Sequence, residues 1–121
     1  IYLCGICAVP PNKEIYKTAL GASDSVKWEY FNSTKEAVDS LKQNNFEVIA
    51  VEQTKKSISL NEFHTQSMKL AVIFGNEVKG ISKEIINTTK SCVEINQYGI
   101  KKSMNVSVAA GIVLWHIMHN I

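Results

Sequence analysis

Gly75, Asn76, Glu77 and Gly80 stand together in the stretch FGNEVKG, directly after the apolar run KLAVI. A single turn needs one glycine, so a second glycine, an amide and a carboxylate at the same place point to a ligand. The stretch lacks the G-x-G-x-x-G spacing of a dinucleotide loop and the G-K-[ST] ending of a phosphate loop. Taken alone it fits a tight structural turn as well as a binding loop. A second polar loop, NQYGIKKSMN, follows the next apolar segment. Cys4 and Cys7 have the C-x-x-C spacing of a redox pair or half a zinc site, but no second cysteine pair exists. The motif also lies inside the apolar run IYLCGICAV, so the expectation is buried strand thiols. His64, His116 and His119 have no metal-ligand spacing with cysteine or carboxylate, and the last two read as a helix end.

The elements that must position these residues alternate. IYLCGICAV, VKWEYF, FEVIAVE, KLAVIF and SCVEI read as strands, the first stopped by Pro10-Pro11. Asn12 can cap a helix through KEIYKTALGA, closed by Gly21, and Ser33 to Glu36 is a capping-box pattern for the next helix. That helix ends at Asn44-Asn45. QTKKSISLNEFHTQS reads as a polar loop with at most one helical turn. Ser82 caps a short helix, and Asn105 starts a long apolar one, NVSVAAGIVLWHIMHN. Apolar strands alternating with helices predict a mostly parallel α/β sheet, in which ligands bind beyond the carboxyl ends of the strands. CAVPPN, GNEVKGIS and NQYGIKKSMN are the loops at those ends.

Composition narrows the classes. The chain has 121 residues, 45% hydrophobic and 20% charged, which suits one ordered domain and excludes a disordered chain. No apolar run reaches the ~20 residues of a membrane span. The net charge of +2 comes entirely from lysine, with no arginine. Contacts to nucleic acid phosphate must therefore rest on lysine or on parts outside this sequence. Three cysteines, an odd number, argue against a disulfide framework and fit a reducing cytoplasm. The sequence opens at Ile1 in the middle of an apparent strand, so the expectation is a domain spanning 1–121 that lacks its first β-α segment.

FGNEVKGIS followed by EINQYGIKKSMNVSVAAGI closely resembles the second and third motifs of the SpoU/TrmH-type RNA ribose methyltransferases, members of the SPOUT superfamily. The first resembles F-G-N-E-x-x-G-[IV], the second I-P-x-x-G-x-x-x-S-L-N-V-S-V-A-x-A/G. A looser likeness reaches back through PPNKEIYKTALGASDSVKWEYF. The resemblance implies a parallel sheet with helices on both faces and a C-terminal deep trefoil knot, a feature otherwise almost absent from proteins. It implies S-adenosylmethionine as cofactor, held by Gly75, Ile95 and Met104 with Asn76, Gly80, Gln97 and Gly99 shaping the walls. Gly75 and Gly99 would let the backbone approach the flat adenine.

Glu77, Ser103 and Asn105 match the polar active-site positions, which would orient the ribose hydroxyl and the family's reactive arginine. Read without the resemblance, Asn105 is a helix cap and Ser103 a loop hydrogen bond. Lys101 and Lys102 are the candidates for RNA phosphate, with a solvated loop as the alternative reading. The expected partners are tRNA or rRNA and a second copy of the chain, paired through the last helix, where Trp115 is core or interface; no DNA and no membrane are expected. Asn96 replaces the family's usual proline and Met104 its usual leucine, and the asparagine and arginine of the first motif would precede residue 1. A guanine-N1 type base methyltransferase is one alternative reading, against which the S-x-N-V-S-V string favours the ribose type; a non-catalytic knotted module that binds cofactor or RNA is another, kept open by the absence of the first motif.

Overall fold

The computed structural model describes residues 1–120; Ile121, the last residue of the expected domain, lies outside them. Contacts divide the chain into two units, Ile1–Ser40 and the remainder from Leu41. In the first, β1 (Tyr2–Cys4) pairs in parallel with β2 (Glu29–Phe31), Tyr2 opposite Glu29 and Cys4 opposite Phe31. The Tyr2 and Phe31 rings pack with centroids 4.6 Å apart.

β1 is shorter than the apolar run that contains it. Gly5 takes φ 67°, a left-handed value that costs glycine little. Its N–H still donates to Phe31 O at 2.9 Å, but the Cys7 N–H folds back to Gly5 O at 3.1 Å, and the chain leaves the sheet. Cys7 is consequently exposed and Cys4 half-buried, which corrects the expectation of buried strand thiols at both positions; Cys92 alone is buried.

α1 (Lys13–Ala19) starts where Asn12 Oδ1 accepts the N–H groups of Glu14 and Ile15 at 2.9 and 3.2 Å. Left-handed Leu20 and Gly21 end it, and a four-residue α2 (Ala22–Ser25) follows that the sequence pattern does not signal. α3 (Thr34–Gln43) is capped by Ser33 Oγ, which accepts the Glu36 N–H at 3.2 Å, and is closed by Asn45 at φ 63°.

The second unit holds β3 (Glu47–Val51), β4 (Ile58–Ser59), β5 (Leu70–Phe74), α4 (Lys83–Ile86), β6 (Ser91–Glu94) and α5 (Val106–His119). Its four strands lie in the order β4-β6-β3-β5, every pair parallel. Val48, Ile49 and Ala50 of β3 and Cys92 and Val93 of β6 are buried, as inner strands covered on both faces must be. The core joins Ile49 and Val93 to Leu60, Phe63, Val113 and Ile117.

Leu60 and Phe63 belong to the stretch expected to be a polar loop. There Ile58 and Ser59 add an edge strand, and a 3₁₀ turn (Leu60–Glu62) drops both side chains into the core. α5 contributes Ala109, Val113 and Ile117, one stripe at i, i+4, i+8. On another side of the helix apolar residues face outward, Leu114 52%, Trp115 64% and Met118 72% exposed. Trp115 stacks on His119 rather than entering the core. Among the described residues no helix is long and apolar enough to cross a membrane.

Candidate functional site

Because β3, β5 and β6 are parallel, their carboxyl ends share one edge, and the two polar loops leave from it. Beyond Phe74, the Asn76 side chain folds the chain back: its Oδ1 accepts the N–H groups of Val78 at 2.8 Å and Lys79 at 3.1 Å, an Asx turn. The Gly80 N–H then closes on Asn76 O at 2.8 Å, making an isolated antiparallel bridge.

Both glycines are dictated by that closure. A Cβ on Gly75 would stand 2.5 Å from Gly80 C and 2.8 Å from Ile81 N, both backbone atoms. Gly80 has φ 64°, and a Cβ there would run into the Glu52 carboxylate. The loop thus needs glycine to close on itself and on Glu52, a nearer reason than room for a flat ligand. Gly99 is different, since an added Cβ meets no atom within 4 Å.

Glu52, one residue past β3, is a functional candidate that sequence reasoning missed. Its Oε2 accepts the Ile81 N–H and its Oε1 the Gln53 N–H, each at 3.0 Å, while its own N–H donates to Val93 O at 3.0 Å. The available signal was weak: a carboxylate ending an apolar strand at the ligand-binding edge. Behind it, burial pushes the Cys92 thiol above its usual range, only partly offset by hydrogen bonds with Thr54 and the Glu52 backbone.

The two loops frame a cavity of about 1020 Å³, at the upper end of the usual size for a small-molecule site. Gly75, Asn76, Glu77, Gly80, Ile95, Gln97, Lys102, Ser103 and Met104 line it; Gly99, Lys101 and Asn105 do not. Val51, Phe74, Ile95, Met104 and Val106 supply apolar wall, Lys55, Lys79 and Lys83 join Lys102 among the lining cations, and Glu52, Glu77 and Glu94 are the lining carboxylates. Asn105 caps α5, with Oδ1 accepting the Ser107 N–H at 2.8 Å and the Ser107 hydroxyl at 2.6 Å.

Asn96, in the place of the usual proline, accepts the Ser59 hydroxyl at 2.8 Å, so a cross-loop bond restrains what a ring would have stiffened. A smaller cavity at the opposite strand ends is lined by Glu47, His64 and Lys90, among others. Glu47 and Lys90 engage each other there at 2.7 Å.

A parallel sheet with glycine-closed and polar loops framing one apolar-walled cavity defines an α/β ligand-binding domain, and comparison with known proteins identifies which. The chain belongs to the SpoU rRNA Methylase family, which it matches over residues 1–115. It is 33% identical over 99 residues to a tRNA (guanosine(18)-2′-O)-methyltransferase of Borreliella burgdorferi, covering 82% of this chain and 45% of that protein. The solved A. aeolicus TrmH/SpoU tRNA modifying enzyme superposes with a TM-score of 0.83 at 26% identity, over 99% of this chain and 61% of that one. An AdoMet-bound rRNA methyltransferase from Sinorhizobium meliloti shares the fold, with a TM-score of 0.87 at 22% identity over 96% of this chain and 44% of that one. The chain spans about half the length of the curated relatives it matches.

Proposed function

We propose that this protein is an RNA methyltransferase that uses S-adenosylmethionine to methylate a ribose 2′-hydroxyl of tRNA or rRNA. One observation carries the reading: the glycine hairpin 75–80 and the loop 95–104 converge on a single cavity at the carboxyl ends of three parallel strands. Family membership, a relative named for 2′-O methylation and a fold neighbour solved with AdoMet support it.

The residues suit the cofactor. Phe74, Ile95, Met104 and Val106 offer apolar surface to an adenine and a thioether chain, and Met104 adapts to their shape. Gln97 Nε2 donates to Ile95 O at 3.2 Å, which holds the outgoing loop against the wall. When bound, the cofactor supplies an electrophilic methyl on a sulfonium.

The chain's own task is to hold the acceptor hydroxyl in line with that methyl, where positioning is the main contribution. Glu77 and Ser103 line the cavity and can accept and donate hydrogen bonds to a ribose. Asn105 spends its oxygen on the helix cap, so only its amide N–H groups remain for the acceptor. Lys101 and Lys102 lie on the same loop and are assigned to RNA phosphate.

Two further features belong to this reading. The run through loop 95–105 into α5 is assigned to the family's knot, and the outward Leu114, Trp115 and Met118 to a second copy of the chain. Three free thiols are consistent with a reducing, cytoplasmic location.

The test is methyl transfer by the intact protein to an RNA and to the same RNA with deoxyribose at the target position. Nuclease digestion and mass spectrometry should place the methyl on the sugar, with none on the deoxy substrate. A methyl on a base would replace this reading with the base-modifying one.

A further inference from the structure

We infer that Glu52 is a positioning residue whose carboxylate fixes the placement of the Asn76–Gly80 hairpin that frames the cavity. This rests on the reading of that cavity as the cofactor pocket. Its backbone is anchored first: Glu52 continues the ladder of the inner strands through its N–H to Val93 O at 3.0 Å. From that fixed base the side chain spends one oxygen on the neighbouring Gln53 N–H and the other on the Ile81 N–H, 29 residues away.

Among the hydrogen bonds that shape the hairpin beyond the strand ladder, the others are local. They run from Val78 and Lys79 to Asn76 Oδ1 and from Gly80 to Asn76 O. Those close the loop on itself, whereas Glu52 fixes where the closed loop sits. The ion pairs found among the described residues are Lys35–Asp39 and Lys90–Glu47, so this carboxylate's hydrogen bonds go to backbone. Charge-assisted bonds of that kind are about twice as strong as neutral ones.

The residue type follows from the geometry. Aspartate is one methylene too short to make both reaches, and glutamine offers one acceptor oxygen where two are used. Gly80 is the other half of the device. The Cβ of any other residue would take the space that the Glu52 carboxylate occupies, so the glycine and the glutamate are a matched pair.

The test measures S-adenosylhomocysteine affinity by calorimetry and amide hydrogen exchange by NMR in the intact protein and its variants. Glu52→Ala should weaken binding on the order of ten- to a hundredfold, with isosteric Glu52→Gln in between. In the same variants the Ile81 amide should exchange faster, while those of Ile49 and Val93 stay protected. Gly80→Ala should weaken binding in both backgrounds, since φ 64° strains any side chain there, but by less in the Glu52→Ala background, where the collision partner is gone.

Glu52→Gln, which keeps side-chain volume, decides the matter if Glu52→Ala does not fold. Affinity within twofold of wild type with unchanged Ile81 exchange, or equal Gly80→Ala effects in both backgrounds, would overturn the assignment. Absence of binding by the wild type would sink the cofactor reading instead, and Ile81 exchange would still decide the role of Glu52.

Discussion

Gly75→Ala is the smallest change that should disable the cavity while leaving the fold in place. The added methyl would lie 2.5 Å from Gly80 C, 2.8 Å from Ile81 N and 2.9 Å from Gly80 Cα. All three are backbone atoms, so no side chain can swing away to relieve the clash. The hairpin must open, and two bonds are at stake: Gly80 N–H to Asn76 O at 2.8 Å and Ile81 N–H to Glu52 at 3.0 Å. A neutral bond is worth about 1 kcal/mol and one to a charged group about 1.5–3. Together they come to about 2.5–4 kcal/mol, a loss of roughly a hundred- to a thousandfold in affinity for a ligand that needs the closed loop. Residues Asn76 to Lys79 are exposed and outside the core, so the cost falls on a local equilibrium and the melting temperature should move little. The assay pairs calorimetry with S-adenosylhomocysteine and thermal unfolding without ligand, and Gly99→Ala, whose methyl meets nothing within 4 Å, serves as the silent control. Gly75→Ala binding within about threefold of wild type would refute the reasoning, as would a variant that melts early and binds normally.

Other consequences are open to direct measurement. Ile49→Val removes one methylene from a fully buried strand residue and should cost about 0.5–1.5 kcal/mol, read as a lower urea midpoint at unchanged slope. Trp115→Glu or Leu114→Glu on the outward face of α5 should shift light scattering from a dimer toward a 13.5 kDa species, and a wild type that scatters only as the monomer would count against the pairing. Cys7 should be alkylated first, because it is exposed, whereas Cys4 and Cys92 are held above the usual thiol range chiefly by burial. A raised folded-state thiol value favours the folded protein below the ordinary value near 9.0 and withdraws that support above it. Unfolding temperature should therefore fall as pH climbs past 9, and less steeply in Cys92→Ala.

Much of this was legible because it is local. The caps at Asn12, Ser33, Ser82 and Asn105 are each made by a side chain reaching two or three residues ahead, and the runs in β3, β5 and β6 are apolar enough to read as buried strands. The two loops that meet at the cavity were legible from the glycines and amides crowded into them. What escaped depends on distant partners. Leu60 and Phe63 are isolated apolar residues among polar ones, so no period marks them, and only docking into the core makes them structural. Cys7 looked buried because its neighbours are apolar, but the turn at Gly5 carries it out of the sheet. Glu52 reads as a polar strand end until the strand register brings it to Ile81, 29 residues on.

The strand order also dictates a timetable for synthesis. β3 and β5 can pair once Phe74 has been made, but the other edge of β3 must wait for β6, which is translated last and slots between β3 and the earlier β4. At ~5–20 residues per second the row of Val48, Ile49 and Ala50 keeps an unpaired, strongly apolar edge for a few seconds, the kind of edge that recruits other chains. Nascent chains arrested with Lys90 just clear of the ribosome should therefore be captured by holdase chaperones, and released when a longer C-terminal tether lets Asn105 emerge as well. Equal capture at both lengths would show that the sheet does not wait for its last strand.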